Sequence, residues 1–240
     1  MKKFLNNIFL LLSIFYLGLF FPIQKATAAE NPLFAYTHLL PGPFTLPSGR
    51  FLIGTDLAYG VTDFFQIGTS ILRDFYKAYN ANAKLSLVDY PSFACALTGG
   101  YEYFNYKDLY SSNPDVSVTS WLPGAVFSNS LLERLAISVG GNLRYSSEKS
   151  DTPGVKATGF VRGARVESDL SWAYNPKDTK KKNVLGNVLS PGVSYDLTYK
   201  LFGIGLSHHW SGLQLGFHYY PSAVSNQVQP IIAGGMAVDL

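Results

Sequence analysis

Three observations predict an all-β chain, an antiparallel transmembrane β-barrel of about 10 to 12 strands preceded by a cleavable signal peptide. Beyond residue 45, apolar residues alternate with small or polar ones in one stretch after another, and a period of two is that of a strand. The 240 residues include 16 Tyr, 17 Phe and 22 Gly but only 15% charged side chains, a surface composition suited to lipid. The amino terminus has the layout of an export signal.

That signal covers residues 1–28. Lys2 and Lys3 supply charge, Ile8 to Phe21 supplies an apolar run too short to span a bilayer, and Ala26-Thr27-Ala28 offers a cleavage site. Residues 29–240 then form the barrel domain. Of the 19 basic residues, Lys2, Lys3 and Lys25 leave with the signal, so the processed chain balances 16 basic against 16 acidic groups. A neutral chain whose one basic run is Lys180-Lys181-Lys182 is not expected to bind nucleic acid, and that run reads as a solvated turn. A single cysteine, Cys95, excludes an internal disulfide and sits beside Leu97 on an apolar face, so it reads as lipid-facing.

Strands are expected near residues 50–58, 62–73, 81–89, 93–106, 115–127, 134–146, 157–173, 184–196, 198–209, 213–221 and 228–240, with Leu33–Leu40 a weaker candidate before them. The turns at Gly60 to Asp63, Asp89 to Ser92, Asn129 to Glu133, Asn175 to Asn183 and Trp210 to Gly212 fall at one end, the periplasmic one. Those near 74–80, 107–114, 147–156 and 222–227 fall at the other.

In each strand the face opposite the greasy one carries Gly, Ser and Ala, where a soluble sandwich would carry charge. In a transmembrane barrel the apolar face meets lipid, and the small residues suit a narrow, filled interior. The alternation therefore assigns Asp56, Gln66, Lys84, Glu102, Arg134, Arg144, Arg165, Glu167, Asp169, His209, His218 and Asp239 to the lumen. They form either a salt-bridged plug or the wall of a narrow pore. Adjacent strand residues point to opposite faces, so His208 and His209 cannot act together. His208, Trp210 and Tyr219 belong to an interface belt, while lumenal His209 and His218 could hold a metal only with a carboxylate. The aromatic stretch from Tyr101 to Tyr110 reads as a girdle.

The terminal GMAVDL, with Gly235, Val238 and Leu240, and the stretch from Thr45 to Ser70 resemble small outer-membrane β-barrel proteins of Gram-negative bacteria. The resemblance implies residence in the outer membrane, contact with its lipids, and delivery by the barrel-assembly machinery. Its terminal residue is Leu240, where that family usually has an aromatic. His209-Trp210-Ser211 is also similar to part of the His-x-Ser-Asn motif of outer-membrane lipid A deacylases, with Gly212 in the place of Asn. Three functions follow: a narrow pore or passive transport protein for small solutes, a closed structural or surface-interaction barrel, and a deacylase-like esterase. The first two need no catalytic residue, metal or cofactor, and none is assigned.

Overall fold

A strand carries N–H and C=O groups along both edges, and pairing with neighbouring strands satisfies them. The computed structural model of the chain describes residues 34, 37–75, 77–109, 115–151, 154, 158–175, 187–210, 213–221 and 227–239. These form one large antiparallel sheet of 13 strands: β1 (Arg50–Gly54), β2 (Asp56–Thr62), β3 (Phe65–Ser70), β4 (Tyr79–Asp89), β5 (Phe93–Asn105), β6 (Val116–Trp121), β7 (Gly124–Leu132), β8 (Leu135–Ser150), β9 (Thr158–Asn175), β10 (Asn187–Asp196), β11 (Leu201–Trp210), β12 (Leu213–Tyr220) and β13 (Gln227–Asp239). Two single-turn helices, α1 (Ile71–Phe75) and α2 (Tyr106–Leu109), interrupt the connections.

The sheet order is β4-β3-β2-β1-β13-β12-β11-β10-β9-β8-β6-β5-β7, with further pairings of β4 with β5 and β8 with β7. Both β6 and β7 pair with β5 and with β8, so they act as one strand broken at Leu122-Pro123. Proline has no N–H for a ladder, and the break falls where one would be needed. Strands β1 and β13 join the two ends of the chain, with Arg50 opposite Asp239 and Gly54 opposite Gly235.

Two predicted strands are corrected at their ends. Residues 50–58 are two antiparallel strands, not one, joined through Thr55 with Ile53 opposite Leu57. The stretch expected as strand to residue 73 leaves the sheet at Ser70 and turns into α1. The described turns group as expected, and most residues of those expected at 147–156, 175–183, 210–212 and 222–227 lie outside the described residues. One end, here the turn end, carries Asp63-Phe64, Tyr90–Ser92 and Glu133-Arg134; the other, the helix end, carries Thr55, α1 and α2.

Burial follows the alternation, with its polarity inverted relative to a soluble protein. Val139, Phe217 and Ile232 are 47%, 50% and 57% exposed, whereas Ser128, Ser138, Ser171, Ser190 and Ser207 are buried on the opposite face. Cys95 stands in the outward register opposite Phe127 but is buried, so its reading as a lipid-facing side chain is not upheld. Among the described residues no helix is long and apolar enough to cross a membrane.

Part of the small-residue face is covered by the chain's own Phe34 and Thr37 to Pro47. Residues Thr37–Leu40 are not strand, which corrects the weaker strand expected there. Phe34 packs into a buried cluster with Ala94, Ala136, Ala173 and Val188, stacked on Phe44 with ring centroids 5.8 Å apart. Leu40 packs with Ala96 and Val126. Fully burying each such side chain contributes about 1.5–3 kcal/mol, which gives this segment a reason to stay.

Candidate functional site

The polar centre of the molecule is where this segment meets β9 to β12. Asp169, on β9, directs Oδ2 at three successive backbone N–H groups, those of His38, Leu39 and Leu40, which donate at 2.9, 3.0 and 3.0 Å. A carboxylate accepting three N–H bonds acts as a clamp on one turn of backbone, and bonds to a charged acceptor contribute about 1.5–3 kcal/mol each. Across the segment, the Gln214 side-chain amide donates toward the carbonyls of Thr37 and His38 and toward Ser207 Oγ, at 3.0–3.1 Å. His209 shares a hydrogen bond with the backbone of Thr37. Further along, Lys84 Nζ donates to the Phe44 carbonyl at 2.7 Å, the Leu46 N–H donates to Gln66 Oε1 at 2.9 Å, and Thr45 Oγ1 donates to the Asp63 carbonyl at 2.6 Å.

The imidazole of His38 completes a chain of four side chains. Its Nδ1 lies 2.6 Å from Ser207 Oγ, its Nε2 lies 2.9 Å from His218 Nδ1, and His218 Nε2 lies 2.8 Å from Ser194 Oγ. Between two ring nitrogens one must donate and the other accept, so the chain tolerates no extra proton or one, but not two. Arg165 stands beside it, paired with Glu167 at 2.6 Å and donating to the Tyr220 hydroxyl at 2.7 Å.

Glycines make this approach possible. A Cβ at Gly192 would lie 2.5 Å from Asp169 Oδ1 and 2.6 Å from His38 Cδ2, and one at Gly60 would run into the carbonyls of Leu46 and Pro47. Gly60 and Gly192 are therefore small because the segment lies against them.

Each side chain assigned to the lumen can now be placed. Asp169, Glu167, His209 and His218 are buried on the small-residue face, with Arg165 half-buried beside them. Gln66 and Lys84 hold the segment further along. Glu102 instead meets Arg73 and Arg144 toward the helix end, with Arg144 at 3.7 Å, and Asp56 lies near the Thr55 turn. Arg134 is exposed in the turn between β7 and β8, one residue before the strand whose alternation placed it inward. Asp239 is opposite Arg50, and its side chain lies outside the described residues.

His208 and His209 do face opposite sides: His209 is buried, whereas His208 bonds the Tyr174 hydroxyl at 2.7 Å and lies between Tyr174 and Trp210. Sequence reasoning missed His38. It sits in a stretch without alternation, and the only signal was indirect: a face made of Gly and Ser needs something to fill it.

The composition Asp169, His38 and Ser207 invites comparison with a hydrolytic triad, but the connections differ. Asp169 accepts from the backbone of His38 and not from its ring, the second ring nitrogen faces another histidine, and Ser207 is fully buried. Among the described residues no three His, Cys, Asp or Glu side chains converge to hold a metal ion. Ser211 and Gly212, with Lys180 to Lys182 and Leu240, lie outside the described residues. No protein-family model, curated protein or solved structure matches the chain.

Proposed function

We propose that this chain is an outer-membrane β-barrel of twelve strand passes, closed by β1 against β13 and stoppered by its own segment Phe34 to Pro47, with a structural or surface role and no catalytic one. The observation that carries this reading is the inverted sheet: exposed Val139, Phe217 and Ile232 on one face, and on the other buried serines, of which Ser207 bonds His38 of the clamped segment. Closure is supported by the pairing scheme, in which each described strand has a neighbour on both edges. A bilayer offers no hydrogen bonds to backbone, so a sheet that lies in it has to leave no free edge. The partners of such a protein are outer-membrane lipids and, during biogenesis, the assembly machinery; nucleic acid is not among them.

The test is conductance. Full-length chain reconstituted into planar bilayers is expected to insert and remain electrically silent, while Asp169→Ala chain, its clamp removed, is expected to show intermittent channels. A chain that is monomeric in buffer without detergent would overturn the membrane reading itself.

A second reading, a narrow pore for small solutes, is favoured by the exposed Arg73 and Arg144 toward the helix end, where the described part of the segment does not reach. Steady conductance by the unaltered chain, sensitive to Arg144→Ala, would decide for it. The deacylase-like reading rests on Ser211, and release of an acyl chain from lipid A, lost in Ser211→Ala, is the outcome that would establish it.

A further inference from the structure

We propose that the outward-facing concavity over β8, β9 and β10 binds one anionic glycerophospholipid, with an acyl chain along its floor and the phosphate on Arg134; this rests on the membrane reading above. The concavity has a volume of about 280 Å³. Leu132, Arg134, Leu135, Leu170, Trp172, Leu189 and Pro191 line it, and of these Arg134 stands in the β7–β8 turn.

Its origin is local. The β9–β10 register passes from Leu189 opposite Trp172 to Gly192 opposite Asp169 with no pair between, and Pro191, which has no N–H to contribute, falls in that gap. The outer surface there has a compact ring between two leucines, and a trough results.

Arg134 selects the class of lipid. It is exposed in the β7–β8 turn, its own carbonyl is used by the Ala173 N–H at 3.0 Å, and among the described residues its guanidinium has no ion pair. The neighbouring acidic side chain is Glu133, also exposed. Beside the trough, Trp172 and Tyr174 are 5.8 Å apart between ring centroids, and Tyr174 continues to His208 and Trp210. Such a row of amphipathic rings marks the headgroup level of a bilayer, so an arginine at the same edge meets phosphate, while Leu170 and Pro191 meet the chain below. A planar guanidinium pairs with phosphate through two parallel N–H bonds, which a neutral groove could not supply.

The experiment counts lipids on full-length chain folded in neutral detergent, by native mass spectrometry, using phosphatidylglycerol and phosphatidylcholine with identical acyl chains. One phosphatidylglycerol is expected to persist per chain, with about tenfold weaker retention for Arg134→Gln, while phosphatidylcholine binds both chains weakly and alike. In a Trp121→Phe, Trp210→Phe background, brominated phosphatidylglycerol should quench Trp172. Equal retention of the two lipids, unchanged retention in Arg134→Gln, or a second copy of the chain occupying the trough as a dimer would each overturn the proposal. Failure of the membrane reading would be seen separately, as a chain that needs no detergent and shows no heat-dependent gel migration; it would overturn the lipid site as well.

Discussion

Toward the turn end of the sheet Asp169 is 1% exposed and binds three backbone N–H groups, whereas toward the helix end the Arg144 side chain is 52% exposed and reaches Glu102 only at 3.7 Å. Both were expected to line the same interior by the same alternation. What separates them is the segment made by Phe34 and Thr37 to Pro47, which among the described residues is what lies against the Asp169 half of the face. Charge on this face is thus used in two ways: to hold a backbone where there is one, and to form solvated pairs where there is none. The buried carboxylate should matter far more than the open pairs, because exposed ion pairs contribute about 0–1 kcal/mol and a buried acceptor with three donors contributes several times that.

The sharpest way to break the contrast is to remove the room for the segment. Gly192→Val places a side chain against Asp169 and His38, and is expected to expel residues 37–40. With Thr37→Cys in a Cys95→Ala background, the maleimide labelling rate should rise about 100-fold, as a loss of about 3 kcal/mol implies. Asp169→Ala leaves the fit and removes the clamp, stranding three buried N–H groups. Denaturant titration in detergent should show a loss of about 4.5 kcal/mol or more, with no comparable effect from a substitution at the helix end.

A smaller effect separates hydrogen bonding from packing within the same half. Ser128 and Ser138 face each other at 2.7 Å, both buried. Ser128→Ala alone should cost about 1 kcal/mol by leaving one hydroxyl unpaired, and the double replacement by alanine should come within about 0.5 kcal/mol of the unaltered protein. Arg144→Ala, at the open end, should change stability by less than about 1 kcal/mol.

The smallest effect concerns the exposed rim. Asp115 lies outside the strands and accepts from Asn105 Nδ2 at 2.6 Å and Lys107 Nζ at 3.3 Å. The hydrogen bond from Asn105 first, and that from Lys107 second, hold its carboxyl below the usual carboxylate range. A lowered folded-state pKa means that the contribution is present above the ordinary value of 3.8 and fades as pH falls through the folded one. Amide exchange at Lys107 should therefore quicken only in strong acid, and Asp115→Asn should remove that dependence.

Much of the fold was legible because a strand that is lipid-like on one side and small on the other repeats its period without interruption. β8 and β9 stand close to where Leu135, Ile137 and Val139, and then Val166, Leu170 and Trp172, put them. The Thr55 turn was invisible for a physical reason. A hairpin in which Ile53 faces Leu57 keeps both side chains on one face, so the alternation passes through the turn undisturbed. Arg134 falls one residue before β8, and alternation carries no information about where a strand starts. The clamp on His38 was illegible for a different cause: its partners are 131, 169 and 180 residues away, and no local period registers contacts at that range.

Those separations also set an order of events. The first described part of the chain is fastened by later strands, so His38 has no place to dock until β9, β10, β11 and β12 stand side by side. Contacts of such high order form late, after the cost of bringing distant residues together has been met. During folding the segment around His38 must then wait for the hairpins of β9 to β12. Truncating β12 and β13 should leave it open to protease even where the earlier strands have already assembled.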